Sequence, residues 1–362
     1  MGRLSAAVKA MLAAQFVPRL AQAAFDTRGP SSTSLHYRPL NGDSLREMAR
    51  RKMHHGPDNV FSNPMGIPHN GRFWQVLSWK LFHKNAYGAF LDEQPLSPVA
   101  IDWEPVKAHR GVSVTFIKHS TMLIKDVDRV LLIDPVFNDI FWFIKDFTPL
   151  AFNLENMPRP DHVLITHGHY DHLDHRSLAT LDPGTHVISP LGYDSEFKAV
   201  GMTHRTQLDW FEHYSDGARE ITFLPANHWT MRNPITGPNR SLWGGYLIKT
   251  AGGPVIYISG DSAYFDGFEQ LGQDFDIDLA VFNMGAYAPR WFMASSHMNP
   301  SETVRAFQEI KARQLMIAHW GTFQLGDEPV HFPPNDLKHT LGEKGLLNKW
   351  IPLGHGNTYF FR

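Results

Sequence analysis

The segment Val163-Leu164-Ile165-Thr166-His167-Gly168-His169-Tyr170-Asp171-His172 sets four metal-ligand residues at the end of a β-branched and aliphatic run. Val163 to Thr166 reads as a short buried strand, and Gly168 breaks it where the backbone must turn. His167 and His169 are two positions apart, so extended backbone sends both imidazoles to the same side. Asp171 and His172 follow as the chain bends toward the next helix. One strand-end loop can thus serve two neighbouring ions. Imidazole and carboxylate together suit zinc, or another borderline first-row metal, better than magnesium or calcium. The alternative is a chance cluster of histidines on a solvated loop.

A two-metal site needs ligands from elsewhere, and three further apolar runs end on residues of the right type. Ile221-Thr222-Phe223-Leu224-Pro225-Ala226-Asn227 leads to His228, Val255-Ile256-Tyr257-Ile258-Ser259-Gly260 to Asp261, and Leu315-Met316-Ile317-Ala318 to His319. Gly260 is expected to let the backbone come close to an ion. Taken singly, each of these residues reads as a capped strand end or a satisfied core histidine. Taken together and in this order, they point to one shared centre and to metal-dependent hydrolysis.

The order HxHxDH, then His, Asp and His, resembles the metallo-β-lactamase superfamily, which implies an α/β (α+β) fold, a four-layer αββα sandwich with its metals at one edge. Longer stretches carry the resemblance further. Leu164 to Asp174, Gly285-Ala286-Tyr287-Ala288-Pro289-Arg290-Trp291-Phe292-Met293, Ile317-Ala318-His319-Trp320-Gly321-Thr322-Phe323, Asn227-His228-Trp229 and Ser241-Leu242-Trp243-Gly244 are similar to the N-acylphosphatidylethanolamine-hydrolysing phospholipase D branch. The similarity runs from about Val112 to the C-terminus.

Carried over residue by residue, the resemblance implies that His167, His169 and His228 hold a first zinc, that Asp171, His172 and His319 hold a second, and that Asp261 bridges them. Iron or manganese would suit the same set. Asp134, closing the run Leu131-Leu132-Ile133, would support the ligand loop from behind, its alternative being a turn residue before Pro135. His119 matches a family histidine normally preceded by glycine, and Lys118 stands in that place here. Asp171 would orient the attacking hydroxide as well as ligate. His297, in Ser295-Ser296-His297-Met298-Asn299-Pro300, would contact the phosphate or assist the leaving alcohol, unless it merely flanks the next helix. The implied reaction cleaves N-acylphosphatidylethanolamine-like phospholipids to N-acylethanolamine and phosphatidic acid by attack on phosphorus. Hydrolysis of another small ester, lactone or cyclic phosphodiester is the alternative, and a non-catalytic envelope protein a third reading. Trp229, Tyr287, Trp291 and Trp320, with Trp243, Phe292 and Phe323 nearby, would form an aromatic wall for an acylated substrate, and Arg290 would meet a phosphate. For any one of these rings the competing role is core filling.

Of 362 residues, 43% are hydrophobic and 19% charged, which suits a folded chain with one elaborate domain or a domain plus an N-terminal extension. A net charge of -2 leaves no electrostatic footprint for nucleic acid, and only 32 residues separate His228 from Asp261, too few for the large inserted domain of RNA-processing relatives. The absence of cysteine excludes disulfides and thiolate ligands.

Patterning divides the chain into a leader at 1–24, an extension at 25–110 and a hydrolase domain at 111–362, in which Ser301 to Lys311 reads as a helix. Arg3 and Lys9 before Ala10–Val17, with Ala21-Gln22-Ala23 beyond, resemble a secretory signal, but Pro18-Arg19 follows the short apolar core and favours an amphipathic or disordered leader. Arg72 to Phe82 has apolar residues at helical spacing with basic ends, fit to lie on a membrane surface or to cover the sandwich. His54-His55-Gly56-Pro57 reads as a solvated turn with no metal role. No run approaches 18 apolar residues, so the expectation is a cytoplasmic protein, peripheral to the membrane where it meets lipid, with a homodimer left open.

Overall fold

The computed structural model describes residues 36–66, 85, 87–91, 96–233 and 235–362. The leader, the segment Arg72 to Phe82 and part of the extension lie outside the described residues.

Thirteen strands form among the described residues: β1 (Val112–Lys118), β2 (Thr121–Asp126), β3 (Arg129–Ile133), β4 (His162–Leu164), β5 (His186–Pro190), β6 (Arg205–Leu208), β7 (His213–Ser215), β8 (Glu220–Leu224), β9 (Gly245–Lys249), β10 (Val255–Ile258), β11 (Leu279–Asn283), β12 (Gln314–Ala318) and β13 (Thr358–Phe360). They make two mixed sheets, ordered β13-β1-β2-β3-β4-β5-β6 and β12-β11-β10-β9-β8-β7. Period-2 alternation builds the layers. In the first sheet Val114, Phe116, Met122, Ile124, Leu131, Ile133, Leu164 and Ile188 point inward to the core shared with the second sheet. Leu123, Val130, Leu132, Val163, Ile165 and Val187 point outward, beneath Val106, Leu178 and Phe197 of the helices Glu104–Ala108, His175–Leu178 and Asp194–Ala199. The parallel strands β10, β11 and β12 are apolar along almost their whole length, because helices Gly267–Asp274, Pro300–Ile310 and Pro333–Glu343 pack Phe268, Leu271, Phe307, Ile310, Leu337 and Leu341 into the same core. This is the expected helix–sheet–sheet–helix sandwich.

Strand direction places the site. β1, β3 and β4 run the same way in one sheet, as do β8, β10, β11 and β12 in the other. Every predicted ligand follows the C-terminal end of one of these strands.

Residues 40–46 lie against helix Gly267–Asp274 through Asp266, Gln270 and Asp274, while residues 52–61 meet Asp209, Trp210 and Asn239. Leu45, Met48 and Ala49 of helix Leu45–Arg50 join the main core, and Asn63 reaches the site by donating to Asn227 Oδ1 (2.9 Å) and to the His228 carbonyl (2.8 Å). The reading of His54 to Pro57 as a solvated turn is overturned for His54, which has no exposed surface. Its ring stacks on Trp210 at 4.1 Å, and its Nε2 lies 2.5 Å from Asp209 Oδ1. Lys52 Nζ and His55 Nε2 meet the other Asp209 oxygen at 2.5 and 2.8 Å. Burial would push the Asp209 carboxyl up, but hydrogen bonds from His54 and Lys52 prevail and hold it well below the usual carboxylate range. A lowered acid contributes its stability above the unfolded-state value and loses it as the pH falls through the folded one. Asp209→Ala is therefore expected to cost about 3 kcal/mol at neutral pH, as for removing one partner of a buried pair. Urea unfolding at pH 7 and again near pH 3 checks this, since the difference between variant and wild type should shrink in acid.

Candidate metal centre

The ligand loop begins where β4 ends and is held from below by Asp134. Asp134 Oδ1 accepts from the Thr166 backbone N–H (2.8 Å), and Oδ2 accepts from Thr166 Oγ1 (2.6 Å) and His172 Nδ1 (2.7 Å). It sits at φ +41°, with His119 at +49° and His319 at +67°, so three non-glycine residues around the site hold left-handed backbone. Such conformations cost about 1–3 kcal/mol each and persist only where surrounding bonds over-determine them.

Two groups of donors meet across the gap between the sheets. His167, His169, His228 and Asp261 have ligand atoms within 4.8 Å of one another, and so have His119, Asp171, His172 and His319. Asp261 Oδ2 lies between them, 3.8 Å from the Nε2 atoms of His167 and His228 and 3.3 Å from those of His172 and His319. Asn283, at the end of β11, donates from Nδ2 to Asp261 Oδ1 at 2.9 Å and so turns the other oxygen toward the centre.

The chemistry of these donors fits a cation. His228 Nδ1 donates to the Ser296 carbonyl at 3.1 Å, which leaves Nε2 as a bare lone pair 3.3 Å from His169 Nδ1. His169 Nδ1 in turn faces His167 Nε2 at 2.9 Å. Lone pairs so arranged repel unless a proton or an ion lies among them, and ligands about 2.0–2.1 Å from a tetrahedral zinc are spaced about 3.3 Å apart. Burial, aided by neighbouring imidazoles, holds His167 and His228 well below the ordinary histidine range, and burial takes His169 to about 4, so these rings are neutral, as ligands must be. In the other group burial is outweighed by the carboxylates. Asp261 and Asp171 push the His172 ring up, and push His319 to about 9. Two acids in a buried space thus draw positive charge, and His172 Nε2 and both ring nitrogens of His319 are buried without a hydrogen-bond partner.

His119 stands at the centre itself. Its Nε2 lies 3.0 Å from Asp171 Oδ2 and its ring 4.1 Å from that of His319, with Phe323 against its other side at 5.0 Å. Lys118, in the position of the usual glycine, is fully buried; its ammonium pairs with Asp146 and faces the Phe323 ring at 5.4 Å. His297 also reaches the centre, its Nδ1 3.9 Å from Asp261 Oδ2 and its ring 5.4 Å from those of His228 and His319.

The expected substrate wall divides. Trp229 stands edge-on to His169 at 4.7 Å, and Trp291 lies on the short helix Arg290–Met293 just before His297. Trp320 does not face the centre: its ring packs between Phe116 (5.8 Å) and His355 (4.3 Å) against the main core. Tyr287 is buried, its hydroxyl donating to Asp336 at 2.5 Å and its N–H to Glu328 at 2.9 Å. Arg290 is engaged internally rather than offered to a phosphate. It pairs with Glu302 (2.7 Å) and donates to the carbonyls of Tyr287 (3.1 Å) and His297 (2.9 Å), which makes it a tie for the His297 loop. Gly260 is required for another reason than expected. At φ +58°, a side chain there would meet the Gly244 carbonyl oxygen at 2.6 Å and Thr166 at 3.0 Å, so backbone packing, not an ion, demands it.

Sequence reading missed Asn283, Asn63 and Asp146. Asn283 had a signal, since it ends the apolar run Leu279–Phe282 as the ligands end theirs; the other two act across 164 and 28 residues with no local pattern. One substitution isolates the support behind the ligands. Asp134→Asn turns an acceptor into a donor toward His172 Nδ1, favouring the tautomer whose proton sits on Nε2. Metal affinity is expected to fall about 10–100-fold with the fold retained, as measured by competition with a chelator.

Residues 129–320 match the family described as the beta-lactamase superfamily domain. The N-acyl-phosphatidylethanolamine-hydrolyzing phospholipase D 1 of Caenorhabditis elegans is 32% identical over 246 residues, which cover 62% of this chain and 68% of that protein. The mitochondrial N-acyl-phosphatidylethanolamine-hydrolyzing phospholipase D of Saccharomyces cerevisiae is 30% identical over 229 residues, 59% of this chain but only 48% of that protein. Among solved structures, isothiocyanate hydrolase from Delia radicum gut bacteria aligns with a TM-score of 0.57 at 18% identity, over 69% of this chain and 99% of that one, a likeness of fold alone.

Proposed function

This chain belongs to the metallo-β-lactamase superfamily as a metal-dependent hydrolase, and from that footing we propose that it cleaves the phosphodiester of N-acylphosphatidylethanolamine-like lipids, yielding N-acylethanolamine and phosphatidic acid. The observation that carries the proposal is the sharing of one carboxylate, Asp261, by two groups of buried imidazoles. The kinship with the phospholipases directs it to a lipid.

In this reading His167, His169 and His228 hold one ion, Asp171, His172 and His319 the other, and Asp261 joins them, with zinc favoured by the donor set and iron or manganese accommodated. When bound, such ions supply Lewis acidity toward the phosphoryl oxygens and acidify a water near neutral pH. The protein's own groups do the rest. Asp171, partly open to the cleft and bonded to His119, accepts a hydrogen bond from the attacking water and aims it at phosphorus. His297 donates a hydrogen bond toward the departing alcohol. Trp229 and Trp291 offer apolar surface to the acyl part.

The test is product identification from N-acylphosphatidylethanolamine beside a panel of lactones, simple esters and cyclic phosphodiesters. Release of N-acylethanolamine with phosphatidic acid is the expected result. Turnover of lactones alone would replace the lipid reading while keeping the centre.

A further inference from the structure

Three consecutive aromatic residues stand in solvent on the loop after β3: Phe141 is 36%, Trp142 84% and Phe143 65% exposed. Large apolar side chains scattered singly over a surface need no explanation, but a contiguous group marks something that covers it. The rings are also ordered against one another, Phe141 and Phe143 stacking at 5.4 Å and Trp142 standing edge-on to Phe143 at 5.5 Å.

Both stems of this loop are fastened to the candidate centre. On one side is Asp134, bonded to Thr166 and His172. On the other are Asp146, paired with the Lys118 that precedes His119, and Phe147, whose N–H donates to the Thr322 carbonyl at 2.9 Å. The tip meets Tyr170, which lies between His169 and Asp171, with ring centroids of Phe141 and Tyr170 5.1 Å apart. Tyr170 is itself 40% exposed, and its hydroxyl donates at 2.6 Å to the carbonyl of Arg232, whose guanidinium covers the ring at 4.3 Å. The loop bearing Arg232 carries Ile235, 93% exposed.

We propose that this aromatic tip, with Tyr170 beside it, is the surface by which the protein seats itself on a lipid bilayer, so that the ligand loop faces the membrane. The inference rests on the lipid reading above. A bilayer suits the feature better than a protein partner does. Trp142 projects from the surface instead of lining a groove, and a wedge of tryptophan, tyrosine and phenylalanine enters the headgroup region without a shaped pocket. The surrounding charge is mixed, Asp139 and Lys145 lying within the same loop, which favours a zwitterionic surface over a strongly anionic one.

The test replaces Phe141, Trp142 and Phe143 together by serine and compares sedimentation with phosphatidylcholine vesicles. Binding of the variant is expected to weaken at least about tenfold, with turnover of vesicle-borne N-acylphosphatidylethanolamine falling in step and hydrolysis of a soluble aryl phosphodiester unchanged. Trp142→Phe should keep vesicle binding yet lose much of the fluorescence quenching by brominated phosphatidylcholine. Wild-type protein that ignores vesicles, or a triple variant that binds them as tightly, overturns the inference. So does a triple variant that only changes from dimer to monomer in sedimentation velocity, which would assign the tip to a second copy of the chain. If wild type binds through the tip yet cleaves no N-acylphosphatidylethanolamine, the membrane surface stands and the proposed reaction falls.

Discussion

Asp261→Ala is expected to lower turnover by more than about a thousandfold and to lower the metal held per chain. The carboxylate belongs to one donor group and reaches the other, its Oδ2 facing two imidazole nitrogens of each at 3.3–3.8 Å. Two dications about 3.5–4 Å apart repel strongly, and a shared anion offsets that repulsion. Asp261→Asn keeps the shape but loses the charge, and with its oxygen held by the Asn283 donor it turns an NH2, which has no lone pair to offer, toward the centre. It should therefore resemble the alanine variant and not wild type. Elemental analysis after dialysis, paired with initial rates, decides the matter. A variant with full metal content and unchanged rate would remove Asp261 from the centre.

For His297→Ala the expectation is the opposite pairing: metal content close to wild type, with turnover lower by about 10²–10⁴-fold. His297 reaches the centre from the loop tied by Arg290, and its Nδ1 is buried without a hydrogen-bond partner. Burial brings its imidazole down to about 4, so near neutral pH the ring is uncharged and offers one N–H and one lone pair. A neutral donor is what glutamine partly reproduces, so His297→Gln should recover some of the lost rate. His297 also shares the 4.8 Å neighbourhood of Asp261 and His319, which makes metal loss the informative contrary result. An alanine variant stripped of one ion would turn His297 from a proton-handling group into a ligand.

These two expectations were reachable from the chain because each group sits just beyond an apolar run or just after a long, particular motif. A strand that must be buried announces itself through Val, Ile, Leu and Phe, and the polar residues in the few positions past its end emerge at the sandwich edge. His167, His228, Asp261 and His319 were visible on that ground. The same logic applied to Asn283 would have found it, had amides been sought along with imidazoles and acids. Arg290, Tyr287 and Trp320 show the limit of motif adjacency. They lie in segments that surround the centre, yet Glu302, Asp336 and the core claim their side chains. His54 shows the converse, a polar pair in a weakly patterned region that is buried because Asp209 and Trp210, more than 150 residues away, receive it.

Local order, then, carried the strands, the sandwich class and the identity of the acids and imidazoles at its edge, since burial period and strand ends are written in neighbouring residues. Tertiary packing alone decided that Asn283 orients Asp261, that Arg290 holds a loop, that Lys118 is buried against Asp146, and that three aromatic rings stand beside the ligand loop. Those outcomes depend on which distant side chain completes a hydrogen bond or neutralises a charge, and such pairings leave no periodic trace along the chain.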